Sequence, residues 1–287
     1  MIYLLLSIVF STSLFVIFKY FDVFKIDTLK AIVVNYIVAF FLGFVLSENT
    51  MAIAEIPSQP WFYGALVLGI LFVSIFFVMG LTAQRNGVSV VSVAGKMSVV
   101  IPIVFGVILY NESLSIIKII GILLAVFAVY LASVKDDENK HSKAGILLPI
   151  ILFLGSGTID TTLKYVQNNY VSESEVAIFS GSLFGFAAFF GILILIYKTI
   201  TKPVSFGGKN IIAGIVLGVP NYYSIVFLIK ALQTKGIESS TLFTMNNVGI
   251  VVVSTMVGLL LFKESFSMKN KIGILLAVIG IIMVAVA

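Results

Sequence analysis

A chain of 287 residues that is 60% hydrophobic and only 11% charged, with a mean hydropathy of +1.16, cannot hide its apolar surface in a soluble core. Its formal charge of +5 comes from lysines in short connectors rather than from a long basic stripe, so nucleic acid is not an expected partner. Cysteine is absent, which excludes disulfides, thiolate metal sites and cysteine nucleophiles.

A bilayer core of about 30 Å needs roughly 20 apolar residues per helical span. Taken in chain order, the polar breaks delimit spans at Ile2–Lys19, Leu29–Leu46, Trp61–Thr82, Val88–Tyr110 and Leu114–Ser133. The first lacks a basic leader region and an A-x-A cleavage site, so it reads as a retained span. The most polar segment follows, Lys135 to Lys143, and serves as a linker. Beyond it come Ala144–Tyr165, Val176–Tyr197, Ile211–Leu232, Ser239–Phe262 and a last span that begins near Met268 and runs to Ala287. The expected fold is therefore an all-α polytopic membrane protein with ten transmembrane helices.

The halves repeat. Ile-Gly-Ile-Leu-Leu-Ala-Val occurs at Ile120–Val126 and at Ile272–Val278, each preceded by Glu-Ser-x-Ser (Glu112, Ser113, Ser115; Glu264, Ser265, Ser267). Glu112 and Glu264 stand 152 residues apart, and the turns Asn86-Gly87 and Lys235-Gly236 match at 149. Ser11-x-Ser13 and Lys19-Tyr20 align with Ser156-x-Thr158 and Lys164-Tyr165 at 145. Residues 1–134 and 144–287 thus read as two five-helix repeats, with 135–143 between them. Because five is odd, the second repeat enters the membrane from the opposite face, which is the inverted architecture of secondary transporters.

Positive charge sets orientation. The odd-numbered connectors hold Lys25, Lys30, Arg85, Lys135, Lys140, Lys143, Lys198, Lys202, Lys209, Lys263, Lys269 and Lys271, against Lys118 and Lys235 on the other face. That bias places the odd connectors in the cytoplasm and both termini outside. The connector Ser47–Pro60, with Glu48 and Glu55 but no lysine or arginine, agrees.

Two ionisable residues fall within spans. Lys96 is about eight residues into the fourth, or roughly 12 Å deep at 1.5 Å per residue, and Asp160 is inside the sixth. A lysine at mid-helix costs about 2.5–3.5 kcal/mol on insertion scales, so such a residue usually faces a cavity or a partner. Lys96 and Asp160 are candidates for an ion pair that locks the fold or for proton coupling. Ser89, Ser92 and Lys96 share one helix side. Gly95 permits close approach, and Pro102 leaves the carbonyl of Ser98 without its helical donor. At the matching depth of the ninth span stand Asn246 and Asn247, with Ser240, Thr244 and Asn247 on one side. Asn221 and Tyr222 flank the mid-span Pro220, and Asn35 and Tyr36 are weaker candidates of the same kind. A simpler role for these amides and hydroxyls is hydrogen bonding between packed helices. Gly181-x-x-x-Gly185 and Gly214-x-x-x-Gly218 read as packing sites. No catalytic set is present: the one histidine, His141, sits in the linker, and no H-E-x-x-H, P-loop or G-x-S-x-G occurs. No metal or cofactor is called for.

Gly87 to Leu131, with Tyr110-Asn-Glu112-Ser-Leu, and Gly236 to Ala287, with Lys263-Glu264-Ser-Phe, resemble the EamA-type drug/metabolite transporter superfamily, and Lys230-Ala-Leu-Gln is similar to the segment ending the third helix of such repeats. The resemblance spans the whole chain. It implies a central cavity between inverted repeats, lined in part by the fourth and ninth spans, and termini in the cytoplasm, the reverse of the charge bias. The reading that follows is a secondary transporter of the bacterial cytoplasmic membrane that moves a small polar metabolite, anionic and amino-acid-like solutes included, by alternating access. Lys96, Ser92, Asn246, Asn247, Asn221, Tyr222, Asn35 and Tyr36 would bind the solute. The partners expected are that small molecule and the bilayer, with the protein a monomer or homodimer. A flippase for a lipid-linked head group and a non-transporting scaffold or sensor are the alternatives; an enzyme is not expected.

Overall fold

In the computed structural model, which describes residues 1–45, 53–110, 115–133, 144–172, 175–201, 207–232 and 239–286, the chain is helical almost throughout. The helices are α1 Ile2–Val23, α2 Thr28–Val45, α3 Phe62–Asn86, α4 Val88–Met97, α5 Val100–Tyr110, α6 Ile116–Ser133, α7 Ala144–Tyr170, α8 Val176–Thr201, α9 Gly208–Leu232, α10 Ser239–Phe262 and α11 Met268–Val286, with a short 3-10 turn at Ile53–Ser58. Eight stretches are long and apolar enough to cross a membrane among the described residues: α1, α2, α3, α4 with the start of α5, α7, α8, α9 and α10. The chain is an all-α, polytopic membrane protein. Glu48, Glu112, Ser113, the linker 135–143 with His141, Lys202, Lys235 and Gly236 lie outside the described residues, as do the side chains of Ser240 and Thr244.

The starts of three helices follow from local chemistry. Asp27 caps α2, its Oδ1 accepting from the amides of Leu29 at 3.1 Å and Lys30 at 3.3 Å. Ser115 caps α6 through the amide of Lys118 at 3.1 Å. Ser267 caps α11 reciprocally with Asn270: the Asn270 amide donates to Ser267 Oγ at 3.2 Å, and the Ser267 amide to Asn270 Oδ1 at 3.1 Å. The last serine of each Glu-Ser-x-Ser copy is thus an N-cap. Met268 begins the last helix, where the apolar run extended backwards predicts it. The fourth expected span departs from prediction, because it is two helices rather than one.

Residues 1–20, 78–158 and 223–287 form one compact unit, and residues 21–77 and 159–222 form another. Each draws on both halves of the sequence. In the first unit, α6 and α11 pack directly on each other. A Cβ at Gly121 would meet Gly280 and Val284, and one at Gly273 would meet Ala128 and Ala132. Positions rise along one helix as they fall along the other, so the pair is antiparallel. Adding 152 to the residues of α6 turns one contact set into the other. Each copy of the heptapeptide thus contributes a glycine, Gly121 or Gly273, to the seam of this helix pair, whose small residues let the backbones close in.

The second unit is centred on α2. Both predicted glycine pairs pack against it: Gly181 and Gly185 face the rings of Phe44 and Phe40, and Gly214 and Gly218 face Val34, Val38 and the backbone of α2. Around Trp61 and Phe179, whose rings meet edge-on at 5.5 Å, Leu68, Val166, Ile178 and Leu183 complete a buried apolar cluster.

Candidate solute-binding site

In the first unit, α4 is a ten-residue helix ending in the apolar part of a span. Pro102 accounts for that end. Its ring would collide with the carbonyl of Ser98, and it has no N–H to give that carbonyl. The chain turns at Ser98 and Val99 and resumes helix at Val100. The sequence reading leaves the Ser98 carbonyl free; the structure corrects this, because the Ile101 amide donates to it at 2.9 Å in a tighter turn. The hydroxyl of Ser98 donates to the Gly95 carbonyl at 2.7 Å. Met97, Ser98 and Val100 are buried, which meets the requirement that non-helical backbone at membrane depth be covered by protein or line a cavity.

Lys96 stands in the last turn of α4, half-buried. A helix C-terminus carries partial negative charge and stabilises a nearby cation by about 0.3–1 kcal/mol, and more when partly buried. The break thus offsets part of the insertion cost of a mid-span lysine. Beside it, a Cβ built on Gly95 would meet no atom within 4 Å, whereas one on Gly64, Gly69, Gly121 or Gly249 would collide with a neighbour. The glycine next to the lysine therefore faces open space, not a packed helix.

Along the face that carries Ser89 and Ser92, α4 packs against α10. Ser254 Oγ donates to Ser92 Oγ at 2.5 Å, Ser92 Oγ donates to the Ser89 carbonyl at 2.8 Å, and both serines are buried. The hydroxyl of Ser92 is accordingly engaged in joining the two helices. Ser254, absent from the sequence reading, is its partner. Gly258 lies against Ser89, and Ser254 against Ser92, so the two helices run antiparallel. Continuing that register brings Asn247 level with the Ser98–Val99 break. Asn246 is 1% exposed and Asn247 is buried too, and Asn246 Oδ1 has no hydrogen-bond partner. An unsatisfied buried acceptor costs about 1–3 kcal/mol. Such an acceptor calls for a donor from a water, an ion or a solute.

The remaining candidates lie in the second unit. Close packing of Gly218 on the Asn35 carbonyl brings Asn221 beside Asn35, and Asn221 Nδ2 donates to Asn35 Oδ1 at 3.2 Å. Tyr36 is buried between Phe76 and Phe184 and donates its hydroxyl to the Phe72 carbonyl at 3.0 Å. Tyr222 is half-buried, and Asp160 is exposed on α7. The structure thus brings Asn35 and Asn221 together, and assigns Tyr36 a packing contact with its hydroxyl engaged. Lys96 belongs to the first unit and Asp160 to the second.

No protein-family model matches the chain. An uncharacterized protein of Haemophilus influenzae (strain ATCC 51907 / DSM 11121 / KW20 / Rd) is 30% identical over 261 residues, covering 88% of this chain and 86% of that protein. The chain belongs to the family of that protein. More distant relatives carry a functional name. The glucose uptake protein GlcU of Bacillus subtilis (strain 168) is 26% identical over 267 residues, 90% of this chain and 85% of its own. The probable glucose uptake protein GlcU of Priestia megaterium is 25% identical over 237 residues, 77% and 78% of the two chains. One solved crystal structure shares the fold with a TM-score of 0.56, covering 97% of this chain and 96% of its own at 15% identity. With apolar spans and bacterial relatives, this family member is an integral, multi-pass protein of the cytoplasmic membrane.

Proposed function

We propose that the chain is a secondary transporter of a small polar metabolite, and that Lys96, Asn246 and Asn247 bind the solute. The observation that carries this reading is the end of α4 at Ser98, which sets a lysine beside open space at Gly95 in the middle of a membrane span. Discontinuous helices at the bilayer midplane are where secondary transporters bind solutes and coupling ions. Lys96 supplies donors to hydroxyl or anionic oxygens, and Asn246 Oδ1 awaits a donor. The two relatives named for glucose uptake favour a neutral, hydroxyl-rich solute, whose O–H groups both donate and accept. A transporter also fits the absence of any catalytic constellation in the sequence better than an enzyme does.

The architecture proposed is two inverted five-helix repeats, 1–134 and 144–287, with α6 and α11 completing ten spans and alternating access between the repeats, as in the EamA-type superfamily. Support comes from the exchange-related packing of α6 and α11, which is what a two-fold axis in the membrane plane produces. Asn35, Asn221 and Tyr222 remain candidate polar groups of the second unit, and Lys96 remains a candidate for proton coupling.

The test is uptake of labelled D-glucose by proteoliposomes, run beside an amino acid and a sugar phosphate, with and without an imposed proton gradient. Removing one partner of a buried charged hydrogen bond costs about 2–5 kcal/mol, so Lys96→Gln should lower uptake of the carried solute about 100-fold. Full activity of Lys96→Gln would sink the site assignment. No uptake of any of the three solutes by the wild-type chain would sink the solute assignment.

A further inference from the structure

Helix α4 has a second unusual end. A helix of ten residues is marginal by itself, so where its last turn stands depends on how its first turn is held. Gly87 precedes it at φ 108 and brings no capping side chain. The cap comes instead from 176 residues further along: the Val88 amide donates to Glu264 Oε1 at 2.8 Å, and the Ser89 hydroxyl donates to Glu264 Oε2 at 3.3 Å. Two glycines make the room. A Cβ on Gly87 would fall 2.7 Å from Glu264 Oε1, and one on Gly258 would fall 2.5 Å from Glu264 Oε2. The carboxylate fills the space these glycines leave and satisfies the Val88 amide at a helix start, where negative charge is favoured.

Glu264 is itself fixed. Lys263 takes the left-handed conformation at φ 49 after the end of α10, and the Glu264 amide donates back to the Gly258 carbonyl at 3.0 Å. Three residues later Ser267 caps α11. One turn therefore ends α10, starts α11 and holds α4.

We propose that Glu264 is a positioning residue for Lys96: by clamping the first turn of α4 to the α10–α11 turn, it fixes where the lysine at the other end of that helix stands. The role of Lys96 in solute binding rests on the function proposed above; the clamp itself does not. Because the chain contains no cysteine, Lys96→Cys gives a single thiol that reports exposure at that position. Its rate of modification by a small maleimide would be measured in full-length protein in lipid nanodiscs, alone and with Glu264→Ala, Glu264→Gln or Gly258→Ala. Val252→Cys, mid-way along α10, is the control.

Glu264→Ala and Gly258→Ala should each raise the rate at position 96 about fivefold, the factor carried by a helix-terminus charge contact, and leave the rate at position 252 within about twofold. Glu264→Gln keeps an oxygen acceptor and should fall between them and the parent. If Glu264→Ala yields no monodisperse protein, Gly258→Ala and Glu264→Gln carry the test. Unchanged or slower modification at position 96, or an equal rise at position 252, would overturn the clamp. In proteoliposomes, with Lys96 restored, Glu264→Ala and Gly258→Ala should raise KM for the carried solute more than they lower kcat. An absence of glucose uptake in the wild type would count against the solute and leave the thiol rates to decide the clamp.

Discussion

The helical stretches that meet at the Ser92–Ser254 contact, α4–α5 and α10, face the same membrane in different ways. The first is interrupted at Ser98–Val99 by Pro102 and carries Lys96 at the interruption. The second runs unbroken from Ser239 to Phe262 and carries neutral amides, Asn246 and Asn247, near the level of the break. A cation is tolerated at depth where a helix ends and lends it negative partial charge. An unbroken ladder spends its carbonyls internally and has no such charge to offer in its middle. Lysine against asparagine thus goes with broken against continuous backbone, and Pro102 stands at the break.

The sharpest way to break this comparison is to exchange the backbones. Val252→Pro would interrupt α10 at a partly exposed position and should cost about 3 kcal/mol in an unfolding titration, the interior-helix penalty of proline. Pro102→Ala should leave stability within about 1 kcal/mol of the parent, because the Ser98 carbonyl already has the Ile101 amide as its donor. Equal losses from the two substitutions would mean that the break is held by something other than Pro102.

A smaller effect should separate the open space at Gly95 from the serine contact one turn earlier on α4. Gly95→Leu places a side chain where no atom lies within 4 Å, so the melting temperature should hold while uptake falls about tenfold, a barrier change of roughly 1.4 kcal/mol. A fall in melting temperature of several degrees, with uptake intact, would show that the space is filled by a neighbouring helix. At the serine contact, Ser254→Ala removes the hydroxyl that donates to Ser92. Hydrogen bonds between membrane helices average about 0.6 kcal/mol, so the expected change in unfolding free energy is about that size, with uptake hardly altered. A tenfold loss of uptake without destabilisation would return Ser92 and Ser254 to the solute site.

Much of this was legible from residue order. Pro102 marked Ser98 as the carbonyl that loses its helical donor, though not the division of the span there, and the glycine pairs announced their packing, because each of these effects acts within one turn of helix or through loss of side-chain bulk. The doubled heptapeptide announced a repeated packing helix, and its glycines do face each other's helices across the α6–α11 seam. What could not be read was which partner each polar group would take. Ser92 looked like a ligand for solute and is bonded to Ser254. Tyr36 looked available and gives its hydroxyl to Phe72. Glu264 stood in view as part of a repeated motif, but its partners are 176 and 175 residues away. Its place in a doubled motif, matched to Glu112, was the one available signal.

The sequence by itself determined that the chain lives in lipid, that polar breaks separate its apolar helices, that a heptapeptide recurs in two of them and that a lysine falls within another. Hydropathy, proline geometry and capping chemistry act over a few neighbouring residues, so order alone specifies them. The tertiary structure decided that Gly95 opens onto space, that Asn246 keeps an unpaired oxygen and that one carboxylate holds the start of the helix whose end bears the lysine. A polar side chain in a membrane takes whichever partner folding brings within about 3 Å, and that choice belongs to the packing of distant helices.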